Sequence, residues 1–195
     1  MMSRWPMVFL LSVTIAVGAA SPAHAQNRCA GYKLKTTARK PKCLAAEYAH
    51  AAQSSSPPQQ SDIEECEAKF AIRFEKIELK GGCLTTGDAA AIESKVDAFV
   101  ADLVAELDNG NNSRCQGLKI LAAAVQARCL LLLEAREASR AEPVDPERVA
   151  KCQHKFDAVW ADLEAAPGCE TTGDAGAIDA KVDAFVADVD GELAP

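Results

Sequence analysis

The stretch that decides the fold occurs twice: residues 82–102 read GCLTTGDAAAIESKVDAFVAD, and residues 168–188 read GCETTGDAGAIDAKVDAFVAD. The two copies differ at only four positions, residues 84, 90, 93 and 94 and their counterparts 86 residues later. Each copy contains a cysteine, a short turn and a segment with apolar residues at helical spacing. Neither copy contains a catalytic or cofactor-binding motif. The repeat therefore predicts how the chain is built rather than what it does.

The repeated stretch predicts a capped amphipathic helix. Thr85 precedes Asp88 by three residues, and Thr171 precedes Asp174 in the same way, which matches a helix-capping pattern. We therefore predict that these four side chains cap the helices. The apolar residues that follow in the first copy share one face of about 100° of arc: Ile92, Val96, Phe99, Val100, Leu103 and Leu107.

The cysteines carry the same period of 86 residues. Each unit reads C-x13-C-x22-C-x16-C, with no insertion or deletion between the units. A period this strict indicates a tandem duplication in which the unit is the structural module. Alanine is frequent and aromatic residues are few, which favours helices. We predict an all-α fold of two disulfide-stapled three-helix units, at 26–108 and 115–195, joined by a linker at 109–114.

The first 25 residues resemble a secretory signal peptide. Arg4 supplies a positive charge, residues 8–20 are almost wholly apolar, and Ala-His-Ala at 23–25 is a small-residue cleavage site. We predict cleavage before Gln26 and a secreted or periplasmic protein, with an uncleaved membrane anchor as the alternative. Eight cysteines behind such a segment predict a disulfide framework, with free thiols as the alternative.

Helix geometry limits how the cysteines can pair. Cys29 and Cys43 are 14 residues apart, which is about 21 Å along a helix. A disulfide requires Cα atoms within about 7 Å, and the same argument separates Cys66 from Cys83. If the first two helices run antiparallel, the pairing is nested, whereas parallel helices would give the crossed pairing. The nested prediction is Cys29–Cys83, Cys43–Cys66, Cys115–Cys169 and Cys129–Cys152.

The first segment of each unit differs between the copies. In unit one it is basic, and Pro41 is expected to kink or interrupt the helix. In unit two, residues 118–133 are aliphatic over most of the helix surface, which predicts a helix buried between the units. The basic run is a candidate partner surface for an anionic surface or an acidic protein, with a solvated helix face as the alternative. Its residues are Lys33, Lys35, Arg39, Lys40 and Lys42.

Composition and motifs exclude several functions. The net charge of −7 disfavours nucleic-acid binding, which requires cations to neutralise phosphates. No motif for a nucleophile, a phosphate loop or a metalloprotease is present. The cysteines lack the close spacing of zinc sites. We therefore predict no cofactor, no metal site, no catalytic residue and no membrane span after signal cleavage.

The cysteine pattern and its G-C-x-T-T-G-D-A…V-D-A-F-V ending resemble an uncharacterised repeat of predicted secreted bacterial proteins. This resemblance covers nearly the whole chain after residue 25, and it implies export and repeat architecture but no activity. The leading hypothesis is a non-enzymatic binding or structural protein. The alternatives are a carrier whose aliphatic helix lines a pocket for an apolar ligand, a thiolate metal-binding protein, and a small hydrolase.

Overall fold

The computed structural model describes residues 22–108 and 113–193, with side chains from residue 28 onwards. The described residues form helices and no strand, which confirms the all-α prediction. None of these helices is long and apolar enough to cross a membrane. The helices are α1 (Pro22–Thr37), α2 (Lys40–Ser54), α3 (Gln60–Leu79), α4 (Ala89–Leu107), α5 (Arg114–Arg140), α6 (Pro146–Ala165) and α7 (Ala175–Leu193).

The predicted signal peptide falls mostly outside the described residues. Residues 1–21 are not described, and α1 begins at Pro22, so the predicted cleavage before Gln26 lies within the first turns of α1. The predicted linker is described only at residues 113 and 114. The cleavage and the unit boundaries therefore stay predictions.

A proline makes the two units differ in helix number. Pro41 lies in the first turn of α2, where its missing N–H costs no helical hydrogen bond. The preceding helix α1 ends at Thr37, so the first segment of unit one is two helices. The counterpart of Pro41 in unit two is Ala127, and α5 continues unbroken for 27 residues. The structure thus shows the interruption that the proline predicts.

The long helix α5 lies between the two units. It packs against α1, α2 and α4 of unit one and against α6 and α7 of unit two. Its buried residues include Ile120, Leu131 and several alanines, and they belong to one hydrophobic cluster with residues of both units. The aliphatic surface of this segment is therefore explained in large part by burial on several sides.

Helix α5 approaches α1 and α2 closely at two equivalent glycines. A Cβ atom on Gly117 would lie 2.6 Å from the carbonyl oxygen of Ala49, and one on Gly31 would lie 2.6 Å from that of Ala135. Gly117 is the counterpart of Gly31, and Ala135 is the counterpart of Ala49. The two contacts are therefore the same contact made in both directions, as in a two-fold symmetric dimer.

Helices α4 and α7 form a second reciprocal contact. The rings of Phe99 and its counterpart Phe185 stack with centroids 4.2 Å apart. Lys95 Nζ lies 2.6 Å from Asp188 Oδ1, and Lys181 Nζ lies 2.6 Å from Asp102 Oδ2. Because the second ion pair joins the counterparts of the residues in the first, the helices are antiparallel and related by an approximate two-fold axis.

Four disulfides staple the helices, and all eight cysteines are paired. The Cα atoms of each pair lie between 5.1 and 5.9 Å apart. Each bridge lies within one unit, so no disulfide joins the units. A bridge of this kind stabilises a small domain by about 2–4 kcal/mol. The pairs are the nested ones: Cys29–Cys83, Cys43–Cys66, Cys115–Cys169 and Cys129–Cys152.

Candidate functional site: an apolar groove between α5 and α6

The basic segment of unit one divides into two groups. Lys35, Arg39 and Lys42 are exposed. Lys33 and Lys40 are only 1 % and 2 % exposed. The prediction of a five-residue partner surface, and that of a solvated face, are therefore both wrong at these two lysines. Their ammonium groups lie inside the protein because carboxylates of other helices surround them.

Lys40 pairs with α4. Its Nζ lies 2.7 Å from Glu93 Oε1 and 2.7 Å from Asp97 Oδ1, and it stands 5.4 Å from the ring centroid of Phe70. In unit two this position is Gln126, whose side-chain amide donates instead to acceptors on α6 and α7. Lys40 therefore ties α2 to α4 in unit one, and Gln126 makes the corresponding tie from α5 to α7 through Asp179, the counterpart of Glu93.

Lys33 occupies a cage of oxygen atoms. Its Nζ lies 2.7 Å from Asp88 Oδ1 and 2.8 Å from Glu78 Oε1, and it donates to the carbonyl oxygen of Thr85 over 2.8 Å. The ring of Phe74 covers it at 5.0 Å from the centroid. A buried ammonium ion is tolerated only when its charge and its donors are satisfied in this way. The cage therefore fixes α1 to α3 and to the turn before α4.

Unit two repeats this cage around Lys119, which is 0 % exposed. Its Nζ lies 2.7 Å from Asp174 Oδ1 and 3.0 Å from Glu164 Oε1, and it donates to the carbonyl oxygen of Thr171 over 2.8 Å. The ring of Trp160 takes the place of the phenylalanine, 4.8 Å from Nζ. Because the geometry recurs in both units, we assign the cage to the fold.

The cage explains the repeated Thr-Thr-Gly-Asp sequence. Gly87 and Gly173 have φ values of 78° and 79°, a conformation that favours glycine. Their N–H groups donate to the carboxylates of Glu78 and Glu164, over 3.1 and 2.8 Å. The turn thus positions a threonine carbonyl and an aspartate toward the lysine while its glycine N–H holds the second carboxylate.

The predicted capping role is wrong at Asp88. This residue stands at the N-terminus of α4, but its side chain makes no capping hydrogen bond. The hydroxyl of Thr85 donates to the Asp88 carboxylate instead of capping the helix. In unit two, Thr171 and Asp174 both accept hydrogen bonds from the buried lysine. A buried ammonium ion binds a carboxylate more strongly than a backbone N–H does.

The cage also sets the titration of its aspartates. Burial acts to raise the pKa of Asp88, but the hydrogen bonds from Lys33 and Thr85 and the charge of Lys33 outweigh it, so this pKa lies below its ordinary value. For Asp174, burial is likewise outweighed by the hydrogen bond and charge of Lys119, and its pKa is also lowered. Both aspartates are therefore ionised at neutral pH.

Unit two contains an apolar groove that the sequence of unit one does not repeat. It has a volume of about 540 Å³ and lies open to solvent between α5 and α6. Val125 and Val159 are 42 % and 47 % exposed, although both are apolar. The apolar lining residues are Leu118, Leu121, Ala122, Val125, Phe156, Ala158, Val159 and Leu163, together with the Cys129–Cys152 bridge.

Three of the apolar groove residues, Leu121, Val125 and Val159, have charged counterparts in unit one. Leu121 corresponds to Lys35, and Val125 corresponds to Arg39. Lys35 and Arg39 are both exposed, and the break between α1 and α2 adjoins Arg39. The apolar character of this face is therefore a property of unit two.

The polar part of the groove lining contains one cation without a partner. Lys155 is exposed and makes no ion pair or hydrogen bond within residues 22–108 and 113–193. Its counterpart in unit one, Lys69, pairs with Glu65. The counterpart of Glu65 is Lys151, so the acidic partner is missing in unit two. His154 and Gln126 complete the polar lining.

Two other clusters of side chains are weaker candidates for a functional site. Arg39 and Lys42 surround a depression of about 330 Å³ together with Arg128, Glu47 and the Cys43 end of a disulfide. The depression contains two of the three exposed residues of the predicted basic surface, Arg39 and Lys42, but also the carboxylate of Glu47. Among the described residues, no group of three or more His, Cys, Asp or Glu side chains is placed so that it could hold a metal ion.

The second cluster is acidic and lies near the C-terminal end of α5. Burial, the charges of Asp190 and Glu137 and a hydrogen bond with Glu137 raise the pKa of Glu134 to about 7. Burial and the charge of Glu137 also raise the pKa of Asp190. These carboxylates repel one another, which makes the cluster a source of pH dependence in stability.

The sequence contained signals for the cage that motif reasoning missed. Lys33 and Lys119 are lysines at equivalent positions of the two units, while Lys35 and Lys40 have uncharged counterparts.

A search of families, curated proteins and solved structures finds no match to this chain. The resemblance to a secreted bacterial repeat therefore stays a prediction.

Proposed function

We propose that this chain is an exported, non-enzymatic binding protein whose α5–α6 groove holds a small apolar ligand. The observation that carries the proposal is the solvent-exposed apolar wall around Val125 and Val159. An apolar patch that faces water is disfavoured unless something covers it, and such patches mark binding sites. Among the functions predicted from the sequence, this is the carrier.

The size of the groove favours a small molecule. Its volume of about 540 Å³ falls in the range of roughly 300–1,000 Å³ that is usual for ligand pockets. Its walls are side chains of two helices that a disulfide holds together, at Cys129 and Cys152. A site on rigid elements loses little entropy when the ligand binds. Both features support a preformed pocket.

The disulfides support the proposed location. Four bridges pair all eight cysteines, and such bridges persist in oxidising compartments. Export agrees with the apolar N-terminal segment of the sequence. We therefore place the binding protein in the periplasm or outside the cell.

The test is probe binding to the oxidised chain that begins at Gln26. N-Phenyl-1-naphthylamine fluoresces in apolar surroundings, and we expect saturable binding of one probe per chain. Val125→Arg installs the residue of unit one, and it should weaken binding at least about tenfold because a guanidinium group enters the apolar wall. Val149→Arg is the matched control, since Val149 is an exposed valine of α6 that does not line the groove.

The control should bind like the unchanged chain, and both variants should keep the same helix content by circular dichroism. Equal binding by Val125→Arg and the unchanged chain would refute the groove as the site. The absence of any saturable binding would favour a purely structural protein, the other half of the leading hypothesis.

A further inference from the structure

We infer that the ligand is a single-chain anionic amphiphile, with a carboxylate or a similar acidic head group at Lys155 and an alkyl chain along the apolar wall. The inference rests on the proposed function of the groove. Two parts of the groove lining support the inference. One is an apolar wall from α5 and α6, and the other is one exposed lysine that has no partner among the described residues.

Lys155 has no acid three or four residues away on α6, and the nearest acid on its own helix face is Asp162, seven residues further along. Its neighbours three and four positions away are Lys151, Cys152, Ala158 and Val159, and these are the residues that a helical side chain meets. A second lysine one turn away therefore strengthens the local positive potential. In a chain of net charge −7, such a local excess of cations attracts anions that the rest of the surface repels.

Lysine also suits the junction between an apolar wall and water. Its four-carbon stem packs along apolar surface while its ammonium group stays hydrated. A head group bound there would leave the alkyl chain beside Val159, one turn further along α6. The volume of about 540 Å³ suits one alkyl chain of moderate length.

Competition against N-phenyl-1-naphthylamine tests the head group. Dodecanoate, dodecan-1-ol and dodecyltrimethylammonium have the same chain and differ in charge, and each is used below its micelle concentration at pH 8. We expect dodecanoate to displace the probe at a concentration roughly two- to fivefold lower than dodecan-1-ol, as for a partly exposed ion pair. The cationic amphiphile should be the weakest.

Two variants of equal charge locate the effect. Lys155→Gln should remove the preference for dodecanoate, while Lys151→Gln should keep it, since Lys151 does not line the groove. Equal displacement by all three amphiphiles would overturn the inference and leave the groove as an apolar site. An equal loss in both variants would also overturn it, because it would show a general field effect. Failure of the probe itself to bind would instead refute the proposed function.

A second observation, the reciprocal contacts between the units, carries an independent inference. We propose that the two units are self-complementary modules, so that the chain is a covalently fused dimer. Phe99 stacks on its counterpart Phe185, and Gly31 and Gly117 each approach an alanine carbonyl of the other unit. A contact made in both directions is the hallmark of an isologous dimer interface.

Cutting the folded chain tests this proposal, because no disulfide crosses between the units. Residues 109–112 are replaced by a protease recognition sequence, and the oxidised protein is cleaved. We expect both halves to elute together in size-exclusion chromatography at the position of the uncut chain. Phe185→Asp should make the cleaved halves separate, while Leu79→Asp, at a residue 78 % exposed, should not. Separation without any substitution would overturn the proposal.

Discussion

The buried Lys33 cage makes a sharp prediction about stability. Asp88→Ala removes the carboxylate 2.7 Å from Lys33 Nζ while the lysine, only 1 % exposed, stays inside the protein. Removing one partner of a buried ion pair costs about 3–5 kcal/mol, because the remaining charge is left without compensation. Glu78 and the carbonyl oxygen of Thr85 still contact the ammonium group, so we expect the lower end of that range.

Urea unfolding of the oxidised chain at pH 7 measures this cost. A loss of about 3 kcal/mol in the free energy of unfolding corresponds to a fall in melting temperature of roughly 6–12 °C for a chain of this length. The double variant Lys33→Met/Asp88→Ala should recover part of the loss, since the buried ammonium ion is gone and the Glu78 carboxylate, 19 % exposed, keeps its hydrogen bonds from the Gly87 N–H. Lys35→Met is the control for the lysine substitution, because Lys35 is exposed on the same helix.

The pH dependence gives a second test of the same cage. The pKa of Asp88 in the folded protein lies below its ordinary value of 3.8. The stabilisation by its charge is therefore present above about pH 4 and is lost as the pH falls through the folded pKa. The difference between the unchanged chain and Asp88→Ala should thus shrink in acid. A single variant that costs less than about 1 kcal/mol at pH 7, as an exposed pair does, would refute the reasoning.

Three further predictions follow from the contacts of other residues, each measured by urea unfolding. Glu134→Gln should stabilise the chain above pH 7 and have no effect on stability at pH 4. With a folded pKa of about 7, ionisation of Glu134 lowers the stability of the original chain as the pH rises toward 7. The same gain in stability at both pH values would contradict this. Gly117→Ala should lower the free energy of unfolding by about 1–3 kcal/mol, because the added methyl group clashes with backbone atoms. Gly176→Ala, with open space around it, should be neutral or stabilise the chain by up to about 1 kcal/mol. Equal effects of the two variants would refute the close approach at Gly117. Lys181→Ala, which breaks a pair with the exposed Asp102, should cost less than about 1 kcal/mol, and a loss as large as that of Asp88→Ala would be inconsistent.

The sequence predicted the helices well because their signals are local. Helix α3 (Gln60–Leu79) is an example. Apolar residues at helical spacing define the body of this helix, and Gly81 and Gly82, both at positive φ, end it. The interruption before α2 was likewise predictable, since proline acts on the backbone next to it.

The basic segment was misjudged because burial of a lysine depends on distant partners. The carboxylates around Lys33 come from positions 45 and 55 residues further along the chain. Nothing within the segment distinguishes Lys33 and Lys40 from Lys35 and Arg39. Only the comparison of the two units singles out Lys33, whose counterpart Lys119 lies in an aliphatic helix where a lone lysine needs a buried partner.

The sequence indicated that the surface of α5 is apolar, but not which part of that surface lies open to solvent as a groove. The aliphatic surface of α5 indicated burial, and most of it is indeed buried against the other helices. Which apolar residues stay exposed depends on where α6 ends its contact with α5, and this is a property of tertiary packing. The exposed Val125 looks no different in sequence from the buried Ile120 and Leu131.

The two units together separate what builds the fold from what provides a site. The cage lysines, their carboxylates and the stacked phenylalanines recur in both units, as structural contacts should when each unit must fold in the same way. The face at positions 121 and 125 instead differs between the units: its residues correspond to Lys35 and Arg39 in unit one and are Leu121 and Val125 in unit two. Leu121 is partly buried, but Val125 is exposed, and an exposed apolar residue in place of a charge lowers solubility without strengthening the core. This asymmetry is the strongest support for the proposal that the groove of unit two binds a ligand.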